Sequence, residues 1–197
     1  EEVLVVNQES GFVHILDDLE VDPASLTQVF YDEFSQPFQG DAYDADGDSD
    51  ADVLVLYLEG LVLFNRENGA YTTQVLPNSD VADYFEIYDF NDDGVDGVIA
   101  SSSSDQSIYA WYSEDGQYLS RSLVADDLSS NTKFAVVSSS SGSLAEGLVY
   151  TDNTGNVVNL PYTGGGVFGL PVTIRTTELA FILFAVAHVD GDELDDL

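Results

Sequence analysis

Short apolar runs divided by turn-forming residues make up most of the chain. Tyr84–Tyr88 (YFEIY) and Phe134–Val137 (FAVV) each lead into a polar segment, and Val53–Leu56, Val98–Ala100 and Leu148–Tyr150 each leave one. A Gly- or Asn-containing turn then gives a third run, at Gly60–Phe64, Ser107–Trp111 and Gly155–Leu160. Weaker fourth runs follow at Tyr71–Leu76 and Tyr118–Val124. β-rich runs of this length, bounded by turns, predict strands joined as hairpins, and no long amphipathic helical pattern interrupts them. Ala180–Ala187 lacks polar alternation, which predicts a strand covered on both faces.

The polar segments repeat. Asp44-Ala45-Asp46-Gly47-Asp48-Ser49-Asp50-Ala51-Asp52, Asp89-Phe90-Asn91-Asp92-Asp93-Gly94-Val95-Asp96-Gly97 and His188-Val189-Asp190-Gly191-Asp192-Glu193-Leu194-Asp195-Asp196 begin at residues 44, 89 and 188. The spacings are 45 and then 99 residues, the second about twice a period of 49. Near residue 139 a fourth copy, Ser139–Gly147, keeps Gly142 and has lost the carboxylates. Four strands per repeat of this length predict an all-β fold, a β-propeller of four-stranded blades. The whole chain, 1–197, then reads as one propeller or part of a larger one, with four units at about 2–51, 52–96, 97–146 and 147–196. Glu2–Val6 aligns with Asp52–Leu56, so the first strand and the last loop are expected to be neighbours, within one molecule or between copies.

These loops resemble the FG-GAP (VCBS) repeats of integrin α-subunit propellers and of many secreted microbial proteins. The family pattern is roughly Asp-x-Asp/Asn-Gly-Asp-Gly-x-x-Asp-Leu, between the first two strands of a blade. The likeness is close at Asp44–Asp52, partial at Asp89 and His188, and faint at Ser139.

Charge sharpens the picture. The 197 residues carry 37 Asp and Glu against 4 Lys and Arg, a net charge of −33. Nucleic-acid binding needs clustered cations and is excluded, as is attraction to anionic membranes. The longest apolar stretch, Leu179–Ala187, is about half of the ~20 residues that span a bilayer, so no membrane insertion is expected. Cysteine is absent, which removes disulfides and thiolate metal sites.

Clustered carboxylates repel: two unit charges ~5 Å apart cost about 0.8 kcal/mol even in water. Hard oxygens at alternating positions around a flexible Gly suit Ca²⁺ better than Mg²⁺. The first loop assigns Asp44, Asp46, Asp48 and Asp52 as side-chain ligands, and the resemblance adds the Asp50 carbonyl. The second offers Asp89, Asn91 and Asp93, with the Val95 carbonyl; its ninth position is Gly97, and Asp96 stands one residue early. The last offers Asp190, Asp192 and Asp196, with His188, a poor Ca²⁺ ligand, in first place. The Ser139 segment has no ligand set.

Enzymatic constellations are missing from the pattern: two His, no Cys and no G-x-S-x-G give no nucleophile–base pair. His14 alternates with apolar neighbours as a strand residue. Trp111, Tyr109 and Tyr112 read as blade-packing aromatics ahead of a sugar-stacking patch. The resemblance implies a secreted or cell-surface Ca²⁺-binding module, non-catalytic, for adhesion, ligand binding or structural assembly. Its expected partners are an extracellular protein or glycan, or further copies of itself. The alternative is the propeller scaffold of a secreted polysaccharide-processing enzyme.

Overall fold

The structure, a computed structural model, describes residues 2–8, 12–17, 27–30, 36–67, 69–91, 93–114, 116–129, 133–138 and 145–175. Segments 139–144 and 176–197 lie outside the described residues. They hold most of the faint Ser139 repeat, the apolar run 179–187, and the last loop with His188, Asp190, Asp192 and Asp196. The expected meeting of Val3–Val6 with Leu197 therefore also falls outside them.

Every regular element among the described residues is a strand. The first sheet holds β1 (Glu2–Asn7), β2 (Phe12–Asp17) and β3 (Thr27–Phe30). The second holds β4 (Gln39–Tyr43), β5 (Asp52–Tyr57), β6 (Gly60–Glu67) and β7 (Ala70–Val75). The third holds β8 (Tyr84–Tyr88), β9 (Gly97–Ser102), β10 (Ser107–Glu114) and β11 (Gln117–Ala125). The fourth holds β12 (Ala135–Ser138), β13 (Ala145–Thr151), β14 (Val157–Pro161) and β15 (Val172–Arg175). Each sheet is an antiparallel meander in chain order. The Asp-rich loops join the first strand of a sheet to its second. By that alignment the three-stranded sheet matches the second to fourth strands of the others.

Alternation along a strand sends successive side chains to opposite faces, and here both faces are covered. All of β5 is buried. Val53 and Val55 pack with Val13 of the first sheet, while Leu54 and Leu56 pack with Phe85, Val98 and Trp111 of the third. β9 repeats the division: Val98 and Ala100 face the second sheet, and Ile99 joins Leu148, Tyr150 and Val158 of the fourth. The sheets thus stack face to face in chain order. Each fully buried aliphatic side chain contributes about 1.5–3 kcal/mol, which makes these junctions the main stabilising term. Burial fades toward the last strand, where β7 is mostly exposed and β15 fully so. Trp111 is fully buried and donates its indole N–H to the Pro77 carbonyl at 3.0 Å, in keeping with a packing role.

Two glutamines clamp the second sheet to the third. Gln39 of β4 donates to the Phe85 carbonyl at 2.7 Å and accepts its N–H at 3.3 Å. Gln74 of β7 does the same to Tyr118, at 3.0 and 3.2 Å. One clamp holds the first strands together and the other the last.

On β8, half-buried Glu86 accepts a hydrogen bond from the Tyr84 hydroxyl. Burial pushes its carboxyl above the usual range; Asp41 on β4 adds to this and Lys133 opposes it. An acid raised in the folded state weakens folding once pH climbs through the carboxyl range, and the penalty vanishes below it, where both states are protonated. Glu86→Gln should therefore raise the melting temperature at neutral pH, with the gain shrinking to nothing as pH falls through the carboxyl range. Thermal unfolding at several pH values checks this; a gain independent of pH contradicts it.

Candidate metal centre

The loop between β4 and β5 folds around its own carboxylates. Asp44 accepts the N–H of Gly47 at 2.7 Å through Oδ1 and that of Ser49 at 3.0 Å through Oδ2. Asp46 accepts from Asp48 N at 3.1 Å, and Asp48 from Asp50 N at 2.8 Å. Such side chain-to-backbone bonds two to five residues ahead are the usual device by which Asp shapes a tight turn. They leave Asp44, Asp46 and Asp48 converging, with one oxygen from each within 4.8 Å of the others.

Asp52 lies elsewhere in the arrangement. It is fully buried, and its two oxygens accept the N–H groups of Ala45 and Arg66, both at 2.7 Å. This bracket ties the start of the loop to β6 and leaves Asp52 outside the group of three. Burial raises its carboxyl, with Asp46 and Asp48 adding to the effect and the two N–H bonds opposing it.

The loop between β8 and β9 repeats the pattern. Asp89 accepts from Gly94 N, five residues on, at 2.9 Å, as Asp44 does from Ser49. Asp93 accepts from Val95 N at 2.8 Å, as Asp48 does from Asp50. Asn91 donates to Asp93 at 2.7 Å. The equivalence extends to the backbone: Ser49 has φ +72° and Gly94 φ +84°, both left-handed. Asp96, one residue before the ninth position, faces back toward the start of the loop. The backbone N–H of Asp89, seven residues back, favours its charged form, and seven is also the offset between Asp52 and Ala45. Burial, then Asp89 and Asp44, raise the Asp96 carboxyl, so the two loops feel each other's charge. With Asn91 between two aspartates, this loop is one carboxylate poorer than the first.

The third sheet and β6 of the second brace the first loop. Ser113 donates to the Ala45 carbonyl at 3.1 Å. Asn65 of β6 donates to Asp46 Oδ2 at 3.0 Å. Gly116, in the turn between β10 and β11, approaches so closely that a Cβ there would lie 2.5 Å from the Asp46 Cβ. Beneath the loop, the buried hydroxyls of Tyr43 and Tyr118 share a 2.7 Å hydrogen bond, and Tyr118 also donates to the Asp96 carbonyl at 3.2 Å. Burial holds both phenols well above their usual range. Asn65, Asp96, Ser113 and Gly116 were not among the site residues read from the sequence.

No protein-family model matches the chain, and no curated protein is significantly similar to it in sequence. Among solved structures it is similar to an Agrocybe aegerita lectin described as recognising non-reducing terminal N-acetylglucosamine. The TM-score is 0.62 at 12 % identity, over 88 % of this chain and 52 % of the lectin. The N-terminal part of BBS1 in complex with ARL6 also aligns, with a TM-score of 0.48 at 10 % identity over 88 % of this chain and 50 % of that one. The fold is all-β and β-propeller-like. The chain spans about half the length of each of these proteins.

Proposed function

We propose that this chain is a Ca²⁺-stabilised, FG-GAP-like β-propeller module, its four units serving as blades, and that it works outside the cell as a non-catalytic binding or adhesive element. The observation that carries this reading is the convergence of Asp44, Asp46 and Asp48 within 4.8 Å in a loop between the first two strands of a sheet. Three carboxylates brought so close repel one another, and a cation between them relieves that repulsion. Oxygen-only donors on an adaptable loop suit Ca²⁺, whereas Mg²⁺ demands near-ideal octahedral geometry and gives up water reluctantly. The hydrogen bonds repeated at Asp89 and Asp93 support a second, weaker site with Asn91 and the Val95 carbonyl. In the first site the Asp50 carbonyl would complete the set. Extracellular calcium is millimolar, which fits loops of modest affinity and a secreted or cell-surface setting. The likeness to a glycan-recognising lectin favours a glycan among the partners.

Thermal unfolding in Ca²⁺, Mg²⁺ and EDTA tests the reading. A ligand that binds only the folded state adds about 2.7 kcal/mol at a hundredfold excess over its Kd. The melting temperature should therefore rise in Ca²⁺, rise less in Mg²⁺ and fall in EDTA. Asp48→Ala should remove most of the response. Equal melting temperatures in Ca²⁺ and after complete chelation contradict it.

A further inference from the structure

The junctions on either side of the third sheet differ in how far one side chain reaches. β6 and β10 are equivalent strands: Leu63 pairs with Leu54 as Ala110 pairs with Ile99. Two residues further on, β10 carries Tyr112 and β6 carries Asn65. Tyr112 reaches the fourth sheet, donating to the Gly166 carbonyl at 3.0 Å, and its ring lies against that glycine. The shorter Asn65 stops at Asp46 and leaves its Oδ1 buried without a hydrogen-bond partner. A cleft of about 300 Å³ remains between the second and third sheets.

Register explains the lining. Asn65 pairs with Thr72, Leu63 with Gln74 and Glu67 with Ala70, so one face of the β6–β7 hairpin passes from an apolar floor at Leu63 to polar groups. Asp46, Asn65, Glu67, Thr72, Thr73 and Gln117 surround the space, and Gln74, held at both ends by Tyr118, forms a fixed wall. Carboxylates, carboxamides and hydroxyls around a small volume complement a molecule bearing many hydroxyls, because each hydroxyl taken out of water finds a partner. The two carboxylates and the net charge of −33 repel acidic sugars.

The geometry points to this cleft as a binding site for a neutral saccharide ring, the volume matching one ring at the small end of ligand sites. The inference rests on the reading of the chain as a binding module and gives that module its ligand class. Asp46 belongs to both the cleft and the metal loop, so calcium strengthens saccharide binding by fixing that wall.

The test is titration of isotope-labelled full chain in Ca²⁺ with methyl glycosides of glucose, galactose, mannose and N-acetylglucosamine, followed by amide NMR shifts. At least one should give saturable shifts centred on Asn65, Thr72 and Gln117, and methyl glucuronide none. Asn65→Tyr, which fills the cleft as Tyr112 fills its counterpart, should abolish them. Thr72→Val, at an exposed position, should weaken binding about fivefold, the value of one lost hydrogen bond. Removing Ca²⁺ should weaken it as well. Shifts that stay linear or scatter over the surface overturn the proposal, as does unchanged binding in Asn65→Tyr or a response to methylamine in place of sugars. The melting response to Ca²⁺ is read separately, so a dry cleft in a calcium-stabilised protein sinks the saccharide site alone.

Discussion

Gly116→Ala is expected to destabilise the protein by about 2–3 kcal/mol and to weaken calcium binding with it. Two costs add. Gly116 has φ +74°, a left-handed conformation that costs an L-residue roughly 1–2 kcal/mol. The new methyl would also sit 2.5 Å from the Asp46 Cβ, so the loop must give way, and Asp46 is one of the three converging carboxylates. For a chain of this size the loss corresponds to roughly 5–10 °C in melting temperature. Gly69→Ala is the matched control: its φ is +79°, with nothing within 4 Å of an added Cβ. It should show the conformational cost alone and keep calcium affinity. Unfolding and calcium titration of both variants decide the matter; identical behaviour contradicts the packing of the third sheet on the loop.

Asp52→Ala is expected to cost more, about 3–5 kcal/mol. The substitution strips acceptors from two backbone N–H groups, Ala45 and Arg66, at a fully buried position, and each such orphan costs about 1–3 kcal/mol. Asp52→Asn keeps one acceptor oxygen and should fall between the variant and the parent. Denaturant unfolding without metal isolates this bracing role from any part in coordination. A metal-free Asp52→Ala protein as stable as the parent would show that the bracket is dispensable.

The strands were legible because short β-rich runs and the Gly- or Asn-bearing turns that bound them leave a local signature: Tyr84–Tyr88 and Gly60–Phe64 lie in β8 and β6. The loops were legible for the same reason, since Asp44, Asp46 and Asp48 lie within five residues and converge through short-range hydrogen bonds. What stayed hidden depends on residues far apart in sequence. Asn65 in a strand reads as an outward-facing polar residue; only its approach to Asp46, and the contrast with Tyr112, reveals a cleft. Gly116 reads as a turn glycine, and its constraint comes from a loop 70 residues earlier. Asp52 matched the ligand pattern, but that pattern could not show that its two oxygens brace Ala45 and Arg66. Asp96, one residue early, faces the N–H of Asp89, the loop's first residue, whereas Asp52 in ninth place faces that of Ala45, the second, so position in the motif does not fix the partner. Its offset of seven from Asp89 has a counterpart in Asp52 and Ala45, a signal visible only once the fold is seen.

The most direct measurement is an anomalous difference map from a crystal of the protein grown in calcium. A peak is expected about 2.3–2.6 Å from carboxylate oxygens of Asp44, Asp46 and Asp48, with 6–8 oxygen ligands in all and the Asp50 carbonyl among them. A weaker peak at Asp89, Asn91 and Asp93 would follow from the poorer donor set. A well-ordered first loop with no peak, at calcium concentrations that fill millimolar sites, would contradict the calcium reading.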